Sequence, residues 1–337
     1  MNDTPVFIGG LQRSGTSLMR AIIGSHPDIA IYPSDLPLWT DLYNRYKDLD
    51  LNNRDQCDKL MHAIQSNERV QQCQVRIDFN ALRNKIGAEP QLTINLVFGH
   101  FIQAYAREIG RPRWGLKTPY NEFFSEAIFS AFPNAKMIQL IRDPRDVAVS
   151  YKSYQKGAWK WKYNILLHIR EWKQSVRLAR ENEIKYPGAF MAVRYEDLVL
   201  HPEKTIRQVC QRIHLDYTPE LLEMSGQIGW TGANSFFQDI SRNTSNISKS
   251  AIGRYKNNLP RSHIWLYQRF LKNELRYWHY DHEPVNLLLN DIIAIVVQPA
   301  FIGLSLVKIT FIKLIAAALR DTPLYNASKN IFLKLNR

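Results

Sequence analysis

The sequence predicts an α/β fold: a P-loop-like, doubly wound parallel sheet flanked by helices. Three observations carry this expectation. Val6 to Gly10 is a short apolar run that ends in glycines and leads into a helix-like segment, as a buried parallel strand does. Strand-like and helix-like stretches alternate along the chain. KMIQLIRDPRDVAVSYKSY reads as a complete strand, turn and helix. A helical insertion at 40–110 and an apolar, basic C-terminal helical tail complete the predicted architecture.

Each element has a local reason. After the first strand, a helix should begin near Ser17 and run through Leu18, Met19 and Ala21–Ile23 to Gly24, a suitable stop. IAIYP reads as a second strand. Residues 40–110 are more polar and mostly helical in pattern, an insertion suited to shaping an acceptor cleft. RWGLKTP reads as a strand end, with Lys117 just past it. Met137–Ile141 is the next strand. Asp143 is placed as an N-cap, Pro144 takes N1, and Asp146 at N3 makes a shortened capping box. FMAVRYEDL is another strand with its exit. PEKTIRQVCQRIHL is an amphipathic helix opened by Pro202. In such sheets ligands bind beyond the carboxyl ends of the strands. Gly15, Lys117, Arg142 and Tyr195 all follow predicted strands, so they should converge on one crevice.

Composition bounds the function. The chain has 337 residues, 45% hydrophobic and 22% charged, which is an ordinary globular balance with room for a large core. A net charge of +13 points to anionic partners. No helix-turn-helix, zinc-finger or RNP-type pattern is present, so nucleic acid is not the expected partner. Three cysteines, Cys57, Cys73 and Cys210, without C-x-x-C spacing, argue against a disulfide scaffold or a zinc site. MNDTPVFIGG shows neither a basic n-region nor a long apolar h-region, and the expected setting is reducing and cytoplasmic.

The chemistry starts at GGLQRSGTSL. Gly10 and Gly15 have P-loop spacing, and Ser17 stands at the hydroxyl position, but Thr16 replaces the lysine. The loop still offers backbone N–H groups, the hydroxyls of Ser14, Thr16 and Ser17, the cation Arg13 and a helix N-terminus, which together suit an anion. ATP or GTP hydrolysis needs the missing lysine and an acidic Mg²⁺ ligand. The strand KMIQLI instead ends in Arg142. The expected site therefore meets its phosphates with the chain's own cations and no metal. IRDPRDVAVS places Arg142 toward the crevice, where its guanidinium can fork onto a phosphate. A salt-bridged strand–helix corner is the structural alternative.

These motifs resemble the sulfotransferase superfamily, enzymes that use 3′-phosphoadenosine 5′-phosphosulfate (PAPS). RSGTSLMRAIIGSHPDI is similar to its 5′-phosphosulfate loop, especially the version in tyrosylprotein sulfotransferases and bacterial relatives. LIRDPRDVAVSY is similar to the 3′-phosphate element, VRYEDLVLHPEKTIRQV to the strand–helix that follows, and SAIGRYKNNLP to the late nucleotide loop. The resemblance runs in order from about Val6 to Tyr280. It implies that Arg13, Ser14, Gly15, Thr16, Ser17 and Leu18 hold the 5′-phosphosulfate, and that Arg142 and Ser150 hold the 3′-phosphate. Tyr195 would lie near the nucleotide, with Arg254 and Lys256 closing over it. Lys117 would face the sulfonate. Sulfuryl transfer resembles phosphoryl transfer, an in-line, loose transition state. Arg13, Lys117 and the loop N–H groups would stabilise the departing phosphate.

A base must still take the acceptor's proton. Tyrosylprotein sulfotransferases carry a glutamate shortly after the H-P-D segment. Here IYPSDLPLW places Ser34 at that position, with Asp35 beside it. Asp35 is the first candidate base and His26 the second, although SHPD also reads as a turn. The missing glutamate puts a peptidyl-tyrosine acceptor in doubt and favours a hydroxyl of a glycan, glycolipid or other small acceptor. Two rivals remain open: a divergent P-loop ATP-dependent phosphotransferase, and a non-catalytic nucleotide- or polyanion-binding protein. YQKGAWKWKYN, basic and aromatic, suits a sugar or acidic acceptor as well as an amphipathic helix does.

The expected catalytic domain covers residues 1–283. Residues 284–337 form the tail. Ile292 to Val307 carries no charge but is interrupted by Gln298–Pro299, too short for a spanning helix. Lys308, Lys313, Arg320, Lys329, Lys334 and Arg337 stand against Asp291 and Asp321. Apolar and basic together suit peripheral attachment to an anionic membrane. A hairpin packed on the catalytic domain, or a homodimer interface, is the alternative.

Overall fold

The computed structural model describes residues 4–154, 164–224 and 247–297. They gather into two compact units, one made of the described residues within 1–142 and 174–252, the other of those within 143–173 and 253–297.

The first unit holds a five-stranded, all-parallel sheet. Its strands are β1 (Val6–Gly10), β2 (Ile29–Ile31), β3 (Arg113–Lys117), β4 (Lys136–Ile141) and β5 (Phe190–Arg194), in the order β2-β3-β1-β4-β5. The order reverses at β1, so the crevice at its carboxyl end is the place where such sheets bind ligands. Period-2 geometry gives each strand two buried faces. Val6, Ile8, Ile29, Ile31, Ile138, Leu140 and Val193 face a core shared with the helix α1 (Thr16–Gly24) and the helix Pro202–Ile213. Phe7, Ala30, Leu116, Met137 and Phe190 face the other core. There Phe7 sits edge-on to Trp39 and Trp114, at 5.3 and 5.8 Å between ring centroids.

The stretch 40–110 is helical, as its pattern predicts, and its helices start where short polar side chains stand ready. Asn53 caps Arg54–Gln65, Asn67 caps Glu68–Gln71, Asp78 caps Phe79–Gly87 and Thr93 caps Ile94–Glu108, each side chain accepting from a backbone N–H of the first turn. Leu60, Ile64, Leu82, Val97, Phe98, Phe101 and Ile102 then bind these helices to the core around Phe7.

Small differences from the sequence reading have simple causes. Helix α1 begins at Thr16, because Gly15 already occupies the N-cap. Gly24 is the last helical residue and the cap is Ser25, in right-handed geometry with its N–H on Ile22 and Ile23 carbonyls. Lys117 is the final residue of β3, not the first beyond it.

In the second unit, the helix Pro144–Tyr154 opens as predicted, with Asp143 Oδ1 accepting from Arg145 N at 2.9 Å. The two oxygens of Asp146 accept from Gly253 N at 2.7 Å and Tyr255 N at 2.9 Å. Arg145 is fully buried, grips Asp143 through Nε and Nη2, donates to Gln268 and lies 4.0 Å over the Tyr255 ring.

Residues 289–297 are helical, and the apolar side chains Leu289, Ile292, Ile293 and Val296 are exposed, Leu289 by 72%. Among the described residues no helix is long and apolar enough to cross a membrane. The basic residues predicted to make the tail cationic, and most of YQKGAWKWKYN, lie outside the described residues.

Candidate active site

The site grows from the turn between β1 and α1. Gly10 has φ +122° and Gly15 φ +97°, left-handed conformations that side chains resist. Space enforces the same choice. A Cβ on Gly10 would stand 2.4 Å from the Leu140 carbonyl oxygen, and one on Gly15 would stand 2.4 Å from Cδ2 of Tyr195. Arg13, at φ +70°, is a non-glycine residue in the same region, which costs about 1 kcal/mol or more. The reversal at Arg13 is held by Arg142, whose Nη1 donates to the Arg13 carbonyl at 3.0 Å. Helix α1 then starts without a side-chain cap or an acidic residue in its first turn. Its N-terminal N–H groups and positive dipole end therefore point at the loop, the arrangement that receives an oxyanion.

Three neighbouring strands bring the remaining groups to this edge. Ile8 on β1 is in register with Lys117 on β3, and Gly10 with Leu140 on β4. Lys117 is 1% exposed, donates to Ser17 Oγ at 3.1 Å and pairs with Asp35 Oδ1. Burial is the main cause that lowers its pKa, to about 8; Asp35 opposes the shift and Arg20 adds to it. Lys117 thus joins the loop on one side to a carboxylate on the other. Arg20, buried on α1, donates to the Pro33 carbonyl at 2.5 Å and stands 4.0 Å from Asp35. Between these cations, the Asp35 side chain keeps 22% of its surface exposed, whereas Ser34 beside it is fully buried.

Arg142 leaves β4 and spans two carbonyls, Arg13 O and, through Nη2 at 2.6 Å, Ala251 O. Its guanidinium lies 4.5 Å over the Tyr195 ring, the same ring that presses on Gly15. Loop, Arg142 and Tyr195 form one packed assembly. His26 stands apart from it. It follows the opposite end of α1 and is buried, with Asp28 N donating to Nδ1 at 3.1 Å and Nε2 3.0 Å from the Asp216 carbonyl. One ring nitrogen fastens the SHPD turn and the other ties it to Asp216.

The other residues singled out by the resemblance belong to the second unit. Ser150 is buried on the helix Pro144–Tyr154. Arg254 is exposed and precedes a short helix, Tyr255–Asn258. Lys256 pairs with Glu283 at 2.5 Å, and Tyr255 donates to the same carboxylate at 3.0 Å.

One residue that shapes the loop escaped the sequence reading. Glu122 is fully buried directly under the loop. Its Oε2 accepts from Gly10 N at 2.7 Å and its Oε1 from Ser175 Oγ at 2.7 Å. Gln139 in turn donates to Ser175 Oγ and O, at 2.9 Å each. A Cβ on Gly9 would crowd Glu122 Oε2 at 2.9 Å and Glu122 N at 3.0 Å, which favours glycine here. Asn121 and Tyr120 add bonds to the Ile8 and Gly10 carbonyls. The only signal in the sequence is an acid placed in the apolar surroundings of GLKTPYNEFF. Burial raises the Glu122 pKa, and the hydrogen bonds from Ser175 and Gly10 resist the rise.

A carboxyl that holds its proton more tightly in the folded chain lends stability that is complete at low pH. That stability drains away as pH climbs from the ordinary value of 4.5 toward the folded one. Glu122→Gln keeps an acceptor for Gly10 N and removes this titration. Its stability relative to the native protein should therefore improve from pH 4 to pH 7 in denaturant unfolding. Glu122→Ala should lose about 1–3 kcal/mol at both pH values by orphaning Gly10 N. A constant Gln–native difference across pH would show that Glu122 does not titrate in this range.

Comparison with known proteins agrees with this geometry. The model of the sulfotransferase family matches residues 5–219. A protein described as a putative protein-tyrosine sulfotransferase from Caenorhabditis briggsae is 27% identical over 233 residues, 66% of this chain and 70% of that protein. Protein-tyrosine sulfotransferase A of Caenorhabditis elegans is 27% identical over 250 residues, and the match spans 73% of this chain but 56% of that longer protein. Among solved structures, the sulfotransferase domain of the Synechococcus PCC 7002 olefin synthase superposes with a TM-score of 0.55 at 19% identity, covering 84% of this chain and 98% of that one. The family match takes in every strand of the sheet, the loop after β1 and the helix beyond β5, so the chain belongs to the sulfotransferase family and is an enzyme of that class.

Proposed function

We propose that the protein moves the sulfuryl group of PAPS to a hydroxyl of a glycan, glycolipid or other small acceptor. The observation that supports this most directly is Lys117, buried between Ser17 of the loop and the Asp35 carboxylate. The donor is a substrate whose 5′-phosphosulfate fits the uncapped start of α1, with Arg13, Ser14, Thr16 and Ser17 around it. Arg142 supplies a cation for the 3′-phosphate. In the loose transition state, negative charge grows on the departing phosphate. The loop N–H groups and Lys117 are already in place to meet it, with little reorganisation. Asp35, part-exposed and aligned by Lys117 and Arg20, takes the proton from the acceptor hydroxyl. Ser34 is buried and carries no carboxylate, so the tyrosine specificity in the relatives' names is not carried over.

The test is a transfer assay with labelled PAPS in EDTA, over a panel of glycan, glycolipid and tyrosine-peptide hydroxyls. Transfer to a sugar or lipid hydroxyl is expected. Asp35→Asn should lower kcat by about 10²–10⁴-fold and leave affinity for adenosine 3′,5′-bisphosphate nearly intact. Preferential labelling of the peptide would overturn the acceptor class, and full activity of Asp35→Asn would remove Asp35 as the base.

Lys117 must be charged to stabilise the leaving phosphate, and its pKa is lowered to about 8. The kcat/KM profile, which reports the free enzyme, should accordingly fall as pH rises through about 8. Lys117→Arg, whose side chain stays protonated, should lose that alkaline limb. An unchanged limb in the variant assigns it to another group.

For the tail, we propose peripheral attachment to an anionic membrane, which would bring the enzyme to a lipid-linked acceptor. The exposed apolar side chains of 289–297 and the basic composition of 284–337 support it. The full chain should sediment with anionic liposomes at low salt, and a chain ending at Glu283 should not. If both remain in the supernatant, the attachment is refuted.

A further inference from the structure

The first unit carries a second basic concavity, at the opposite edge of the sheet from the loop. It is an open cavity of about 1150 Å³ at the amino-terminal ends of β3, β4 and β5, lined by Arg113, Lys136 and Arg212. His214, Gln208 and Gln211 add further polar groups, and none of the lining residues is Asp or Glu. Cavities that hold small molecules run to roughly 300–1,000 Å³, so there is room for a ligand of several groups.

The three cations have different parts. Arg113 is buried and fixed. Its Nε and Nη2 donate to the Thr4 carbonyl, Nη2 also to Ile213 O, and Nη1 to His214 O, at 2.8–3.3 Å. Four of the five guanidinium N–H groups are thereby used on neutral carbonyls, so Arg113 acts mainly as a fixed charge, offset in part by Asp28 nearby. Lys136, at the start of β4, donates to the Gly188 carbonyl at 2.9 Å. Arg212 extends from the last turn of the helix Pro202–Ile213. Partial burial and then repulsion by Arg212 and Arg113 hold the Lys136 pKa below its ordinary value. Like charges gathered in a concave wall reinforce one another's field, and an anion placed among them relieves their repulsion.

We propose that this cavity binds a small oligoanion carrying two or more phosphate or sulfate groups, at a site separate from the phosphosulfate loop. A single charge would leave most of the cationic wall unmatched. Lys136 and Arg212 make the direct contacts, and Arg113 supplies the field behind them.

The test is calorimetric titration of the full chain with inorganic tripolyphosphate and, in a second arm, with a sulfated disaccharide. Both are run with adenosine 3′,5′-bisphosphate at saturation so that the loop is occupied. One equivalent should bind in at least one arm, more weakly as salt is raised. The arm that binds identifies the phosphate or sulfate character of the ligand. The double variant Lys136→Gln, Arg212→Gln should weaken that binding by about tenfold or more and leave affinity for the bisphosphate unchanged. Absence of binding in both arms, or binding that the double variant leaves intact, overturns the proposal. The outcome is separable from the donor assignment, because the double variant reports on the cavity whether or not the bisphosphate binds.

Discussion

A single buried carboxylate carries much of this architecture. Glu122 accepts the N–H of Gly10 at the point where β1 ends and the loop begins. A backbone N–H turned away from its neighbouring strand and buried must find an acceptor, or it costs about 1–3 kcal/mol. Glu122 is that acceptor, and Ser175 and Gln139 hold it in turn. Gly10 can then take φ +122° and send the chain back over the sheet edge. The course of the loop that follows is set at this turn.

The cations of the first unit follow a common rule. Each named here is deeply set and directed by carbonyls or by a carboxylate. Arg142 is held by Arg13 O and Ala251 O, with Tyr195 beneath it. Lys117 is held by Ser17 and Asp35. Arg113 is held by Thr4, Ile213 and His214 carbonyls at the other edge of the sheet. A carbonyl orients a guanidinium without cancelling its charge, and so preorganises an electrostatic site where a carboxylate partner would neutralise it. Arg145 in the second unit shows the contrast: gripped by Asp143 and stacked on Tyr255, it is a structural ion pair. The two arginines of one short motif therefore differ in their partners, carbonyls for Arg142 and a carboxylate for Arg145.

The strands, the loop and the helix opened by Asp143 and Pro144 were legible in the sequence because their causes are local. Apolar runs ending in glycine, an N-cap followed by proline, and alternating burial act within a few residues. The grouping of Lys117 and Arg142 with the loop was legible for a topological reason, since parallel strands deliver all their carboxyl ends to one edge. Glu122 was not, because its partners, Gly10 and Ser175, lie 112 and 53 residues away. The same holds for the bonds of Asp146 to Gly253 and Tyr255, which follow it by 107 and 109 residues.

The amino-acid order alone settled the fold class, the position of the glycine-bounded loop after β1 and the residue types gathered at the sheet's carboxyl edge, since each depends on short-range periodicity and turn chemistry. Tertiary structure alone decided which of two neighbouring residues, Ser34 or Asp35, is buried and which reaches the edge of the site. It also decided that the His26 ring stands between Asp28 N and the Asp216 carbonyl, and that Arg113, Lys136 and Arg212 meet in one cavity. Those outcomes rest on where distant segments pack, and the free energy of a buried charge or polar atom is set by the partners that packing brings to it.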